Sequence, residues 1–110
     1  ITEEVFSPVR IAEGLRTTKG EIASTLGLGK DAFSRPARIK AVKTQTRLRE
    51  MLEILNRVEP QAGSSLAAYA WFRSEPLPGF GNQTPDQLVR AGQAKMVHAY
   101  LDRIMAGGYA

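Results

Sequence analysis

With 110 residues and 43% apolar positions, the chain can form one domain, or two small lobes on a shared core, and does not read as disordered. The absence of cysteine excludes a disulfide framework and a thiol metal site and fits a reducing compartment such as the cytoplasm. The net charge of +4 is uneven, because Lys30 to Arg49 holds Lys30, Arg35, Arg38, Lys40, Lys43, Arg47 and Arg49 against one acid, Asp31.

Such a basic block suits phosphates, or else forms a solvated helix face. The weakly polar run Ser64 to Phe72 is too short to cross a bilayer, so no membrane partner is expected. Ile1-Thr2-Glu3-Glu4 carries no basic-then-apolar leader, and a first residue other than Met points to further residues before Ile1.

In chain order, nearly every segment reads as helix. Ser7-Pro8 pairs a hydroxyl cap with proline at the first helical position and leads into Val9 to Leu15. Thr18-Lys19-Gly20-Glu21 has capping-box spacing and opens a short helix with Ile22, Ala23 and Leu26, stopped by Gly27. A further helix is expected from Lys30. From about Thr44, Leu48, Met51, Leu52, Leu55 and Val58 form one apolar stripe, and Pro60 to Ser64 should end that helix as a linker.

Leu66 to Phe72 is apolar nearly all round and reads as a buried helix, with Trp71 as a core plug. Arg73 to Gln83 is a Pro/Gly loop. Thr84-Pro85-Asp86-Gln87 is a strong helix start, with a threonine cap, proline at N1, and glutamine placed to close a box. Gly92 separates that short helix from a last one carrying Met96, Val97, Tyr100, Leu101 and Ile104, ended by Gly107-Gly108. No alternating strand pattern occurs, so the fold class is all-α.

Residues 18–35 have a helix-turn-helix layout. Ala23 permits close approach of two helices, Gly27 takes a turn position needing positive φ, and Phe33 anchors the second helix. That helix would present Lys30, Asp31, Ser34 and Arg35 to the major groove, with Arg38, Lys40 and Lys43 for phosphates, making operator DNA a candidate partner. Pro36 should end or kink it at Arg35, leaving barely two turns. That fits a working DNA reader or a motif kept for packing.

Trp71, Phe72, Pro76, Leu77, Pro78 and Phe80 crowd into ten residues. The loop Leu77 to Gly81 offers apolar side chains on a stiffened backbone, which suits protein binding because little entropy is lost. The order of elements here resembles the toxin-binding domain of Xre/MbcA/ParS antitoxins. The matching features are Trp71-Phe72, Pro76, Gly79 to Gly81, Thr84-Pro85-Asp86-Gln87-Leu88 and Arg103-Ile104-Met105-Ala106-Gly107. An N-terminal helix-turn-helix followed by an amphipathic helix is similar to the family's layout as well. Phe80, Asn82 and Met105 depart from it, standing where a small aliphatic residue, a second glycine and a glutamate are more usual.

The resemblance implies an antitoxin, commonly homodimeric and autorepressing, whose partner is a RES-type toxin that depletes NAD. It implies toxin contact through Phe72, Pro76, Leu77, Phe80 and Gly81, and through a plug formed by Gly107, Gly108, Tyr109 and Ala110. The expected organisation is a helix-turn-helix-like region with its long helix over residues 1–60 and a toxin-binding domain over residues 61–110. The alternative is a stand-alone helix-turn-helix regulator whose C-terminal lobe only dimerises.

No enzyme constellation emerges, and no cofactor or metal is expected. His98 is the sole histidine and lies between Val97 and Tyr100 on a helix. Ser64-Ser65 has no base partner and reads as a cap. Glu50 and Glu53 share a face with Arg47, Arg49 and Arg57, as in an ion-pair lattice. Gly79-x-Gly81 follows a helix and is no phosphate loop.

Overall fold

The computed structural model describes residues 5–107. Among them are seven helices and no strand: α1 Pro8–Gly14, α2 Lys19–Thr25, α3 Pro36–Ile39, α4 Val42–Ala62, α5 Ser65–Ser74, α6 Pro85–Arg90 and α7 Ala94–Gly107. The all-α fold with an N-terminal and a C-terminal lobe is as expected. Helix α4 joins the two lobes. Its first half carries α3 and the turns before it, while its second half packs against α5, α6 and α7. A continuous core runs through both lobes, from Ala12, Ile22, Leu26 and Phe33 through Leu48, Met51 and Ile54 to Phe72, Leu77, Val89, Val97 and Leu101.

The helix starts follow from their caps. Ser7 Oγ accepts from Arg10 N–H, Thr18 Oγ1 from Glu21 N–H (3.1 Å) and Ser64 Oγ from Ala67 N–H (3.0 Å). The box at Thr18 is only half formed. The Glu21 carboxylate turns away from the cap toward Thr17 and meets Arg73 of α5 at 3.3 Å. Gln87 does close its box, accepting from Thr84 N–H at 2.9 Å, while the Thr84 hydroxyl donates to the Asp86 carboxylate.

Two expected boundaries move. Pro36 begins α3 instead of ending a helix: its ring pre-sets φ for the first helical position, and it pushes Arg35 into extended backbone (φ −140°, ψ 149°). Helix from Lys30 to Arg35 is thereby broken at its end. The segment instead forms successive turns, with Ala32 N–H on Gly29 O (3.0 Å) and Ser34 N–H on Asp31 O (3.1 Å). Pro60, conversely, does not end α4. The N–H it lacks would have served the carbonyl of exposed Asn56, which water can satisfy, so the helix runs on to Ala62 and stops at Gly63 with φ +98°.

Helix α5 is buried on one face only: Ala68, Tyr69 and Phe72 point inward, whereas Leu66 and Ala70 are exposed. Phe72, not Trp71, is the plug, since Trp71 is half-buried. The lattice expected around Glu50 and Glu53 does not form either. Arg47 instead donates to the carbonyl of Leu26 (2.9 Å) and Arg57 pairs with Asp102 (2.8 Å), which leaves Glu50 Oε1 buried without a partner.

The lobes meet at a small polar seam. Thr25 Oγ1 and Tyr69 OH are 3.2 Å apart, the Arg73 guanidinium lies 4.8 Å from the Tyr69 ring centroid, and Arg90 Nη1 donates to both Thr25 O and Asp86. Burial pushes the Tyr69 phenol above its ordinary value, partly opposed by the Thr25 bond. The unfolded chain therefore loses this proton at lower pH than the folded chain. Stability from this residue is intact below about pH 10 and declines as pH rises further. In Tyr69→Phe, the extra alkaline fall in urea midpoint above pH 10 should vanish, at a cost near neutrality of about 1 kcal/mol for the lost hydrogen bond. An unchanged alkaline profile would show that Tyr69 does not govern it.

Candidate functional site

The apolar loop after α5 is held in one shape by its own backbone. Leu77 N–H donates to Gln83 O (2.9 Å) and Phe80 N–H to Leu77 O (3.1 Å), closing a compact turn. Gly79, Gly81 and Asn82 all take positive φ (+87°, +72° and +57°), and asparagine is among the few residues with a side chain that tolerate this. Leu77 is the inward pin of the turn and is fully buried. Phe80 is its outward product.

Phe80 stands half-exposed against α7. Its ring meets Tyr100 edge-on at a centroid distance of 6.2 Å and an interplanar angle of 86°, and the Arg103 guanidinium lies 5.6 Å from its centroid. The glycine at position 79 lets that guanidinium lie 3.4 Å from where a Cβ would sit. An edge-on aromatic pair contributes about 0.5–1.5 kcal/mol and an exposed cation–π contact about 0.5–1 kcal/mol, so the ring is fixed without being covered. Beside it, Phe80, Gly92, Gln93, Lys95, Met96 and Ala99 line an open, mainly apolar groove of about 520 Å³. Met96 is 40% exposed.

This arrangement revises the candidate residues. Pro76, Phe80 and Gly81 are at the surface and lie in or beside the platform. Phe72 and Leu77 are 0% exposed and leave the set, because neither can touch a partner while the core is closed. Gly107 is the last residue of α7, and Gly108, Tyr109 and Ala110 lie outside the described residues. The sequence reading missed Met96, Tyr100 and Arg103. Their i, i+4, i+7 spacing marks one helix stripe, but apolar residues at Met96 and Tyr100 do not by themselves distinguish a core face from a surface one.

Beyond the shared apolar core, Arg57 links α4 to α7 by polar contacts. Arg57 donates to His98 Nδ1 (3.0 Å) and to Asp102 Oδ1 (2.8 Å), and its Nη2 lies 3.5 Å from Met105 Sδ. His98 is thus a half-buried acceptor for arginine, with no carboxylate among its hydrogen-bond partners. Among the described residues no His/Cys/Asp/Glu group has a metal-binding arrangement, and no helix is long and apolar enough to cross a membrane.

In the N-terminal lobe, Lys30, Asp31, Ser34, Arg35, Arg38, Lys40 and Lys43 are all exposed. The features read as helix-turn-helix packing are present around them. Ala23 and Phe33 are buried, Gly27 has φ +68°, and Leu28 N–H closes on Ala23 O at 2.8 Å. What is absent is the helix meant to carry Lys30 to Arg35.

The fold and this surface are those of a helical protein with a preset aromatic platform on one lobe and exposed cations on the other. Residues 62–107 match the family model for the antitoxin Xre/MbcA/ParS C-terminal toxin-binding domain, so this segment is similar to that family, and the match supports an antitoxin role. The match covers α5, α6, α7 and the platform loop. No curated protein and no solved structure matches the chain.

Proposed function

We propose that this chain neutralises a RES-type, NAD-depleting toxin by occluding its active-site cleft, with the Phe80 platform as the main contact and Gly107 to Ala110 as the plug. The observation that carries this is Phe80 itself: a half-exposed aromatic ring clamped by Tyr100 and Arg103 inside the family-matched segment. Fixed aromatics flanked by arginine are the residue types that dominate binding energy at protein interfaces. Pro76, Gly81 and Met96 surround it with exposed contact area, and occlusion requires no chemistry from this chain. The cytoplasm, where NAD and the operon lie, is the expected compartment.

The test is co-expression with the neighbouring reading frame, tagged on this chain alone, followed by native mass spectrometry and an NAD-consumption assay. A stable complex with suppressed NAD loss is the expected result. A lone homodimer with no enzyme partner would overturn the proposal in favour of a stand-alone regulator. A chain ending at Met105 should still bind the toxin through the platform yet fail to suppress NAD consumption. Full suppression by that chain would remove the plug from the mechanism.

A second role follows from the basic lobe: autorepression of the operon, with the chain as a homodimer. Five unshielded cations, Lys30, Arg35, Arg38, Lys40 and Lys43, favour this reading, since none forms an ion pair among the described residues.

A further inference from the structure

Three of those cations come from different segments and face one hollow. Lys30 comes from the turn after α2, Arg38 from α3 and Lys43 from the first turn of α4. Together with Gly29, Asp31 and Thr44 they line a cleft of about 320 Å³. Asp31 is its single acid, so the cleft carries a net positive charge. It is a concave basic site, not a protruding edge.

The surrounding backbone is poorly made for reading bases. An α-helix or a two-stranded ribbon fits the major groove, whereas Lys30 to Ser34 is a run of turns. Helix α3 has four residues, about 6 Å of axis. Ser34 Oγ donates to Asp31 O at 2.8 Å, so its proton is already engaged within the turn. Arg35 sits on extended backbone ahead of Pro36, outside any helix. Contacts to phosphates position a protein on duplex DNA, while contacts to base edges specify sequence, and this lobe supplies the first kind.

We infer that the N-terminal lobe binds duplex DNA by seating backbone phosphates in the Lys30–Arg38–Lys43 cleft, largely without regard to sequence. The inference rests on the DNA-binding role proposed above and changes its mode. Where a recognition helix would select one operator, this site grips any duplex. Selection of the operon is then left to proximity or to a second protein.

The test is fluorescence anisotropy with two duplexes of equal length, one from upstream of the gene and one scrambled, across a salt series. The two affinities should agree within about tenfold, against the 10³ to 10⁷ separation usual for sequence-specific proteins. The triple variant K30A/R38A/K43A should lower the slope of log K against log salt by about 2.7, roughly 0.9 per lost phosphate contact. K95A, on the other lobe, should leave the slope unchanged, and circular dichroism should show intact helices throughout.

A preference above about a hundredfold for the upstream duplex would overturn the inference and leave DNA binding standing. Sequence-tolerant binding with an unaltered slope in the triple variant would overturn the cleft as its seat. No binding of either duplex at 50 mM salt would overturn the DNA-binding role and the inference with it.

Discussion

Phe80→Asp should weaken toxin binding by about 2–4 kcal/mol, roughly 30- to 1,000-fold, while the chain keeps its helices and most of its stability. The reason is where the ring stands. Its contacts with Tyr100 and Arg103 are made at the surface, so the free chain loses a T-shaped pair and a cation–π contact, together about 1–2.5 kcal/mol. In the complex the same position would bury a carboxylate against apolar groove residues such as Met96 and Ala99, and Arg103 could not shield it fully. The measurement is toxin affinity by calorimetry beside helicity by circular dichroism. Unchanged affinity would remove the platform from the interface. Lost helicity would mean that Phe80 is a core residue.

The N-terminal lobe shows what local sequence signals can and cannot resolve. Capping at Ser7, Thr18, Ser64 and Thr84 is legible because each cap uses atoms within three residues. The apolar stripe of α4 is legible for the same reason: period and burial agree at Leu48, Met51, Leu55 and Val58. Ala23, Gly27 and Phe33 occupy their expected packing positions, yet the helix between Gly29 and Pro36 does not form. Pro36 breaks the preceding segment and, like Pro8 and Pro85, takes the first helical position of the helix that follows it.

In the C-terminal lobe the difficulty is direction. Trp71, Phe72, Leu77 and Phe80 are all apolar, and composition cannot say which two face inward. Two geometric facts decide it. Helical period puts Phe72 with Ala68 and Tyr69 on the core side, and the positive-φ turn at Gly79, Gly81 and Asn82 sends Leu77 in and Phe80 out. The seam at Arg90 is not legible either, since an arginine stem lying against Gly27 depends on residues far apart in the chain. A Cβ at Gly27 would come within 2.9 Å of the Arg90 stem, so that glycine serves the contact between lobes as well as its own turn.

The inward pair supplies the counterpart to Phe80. Phe72→Ala should cost about 3–5 kcal/mol and Leu77→Ala about 2–5 kcal/mol, because each removes a fully buried side chain and a packed core relaxes only partly into the gap. A domain of this size has about 5–15 kcal/mol in total, so either change takes a large share of it and should pull the urea midpoint down sharply. Phe72 lies where α5 meets the continuous core, and Leu77 anchors the turn that presents Phe80. Toxin binding should therefore fall in both variants as a consequence of lost stability, and should recover when the folded fraction is restored by cooling or a stabilising osmolyte. Phe80→Asp should not recover under those conditions, since its defect lies in the contact itself. If Phe72→Ala kept the wild-type midpoint but lost the toxin, Phe72 would belong to the interface after all, and α5 would have to present a different face to its partner.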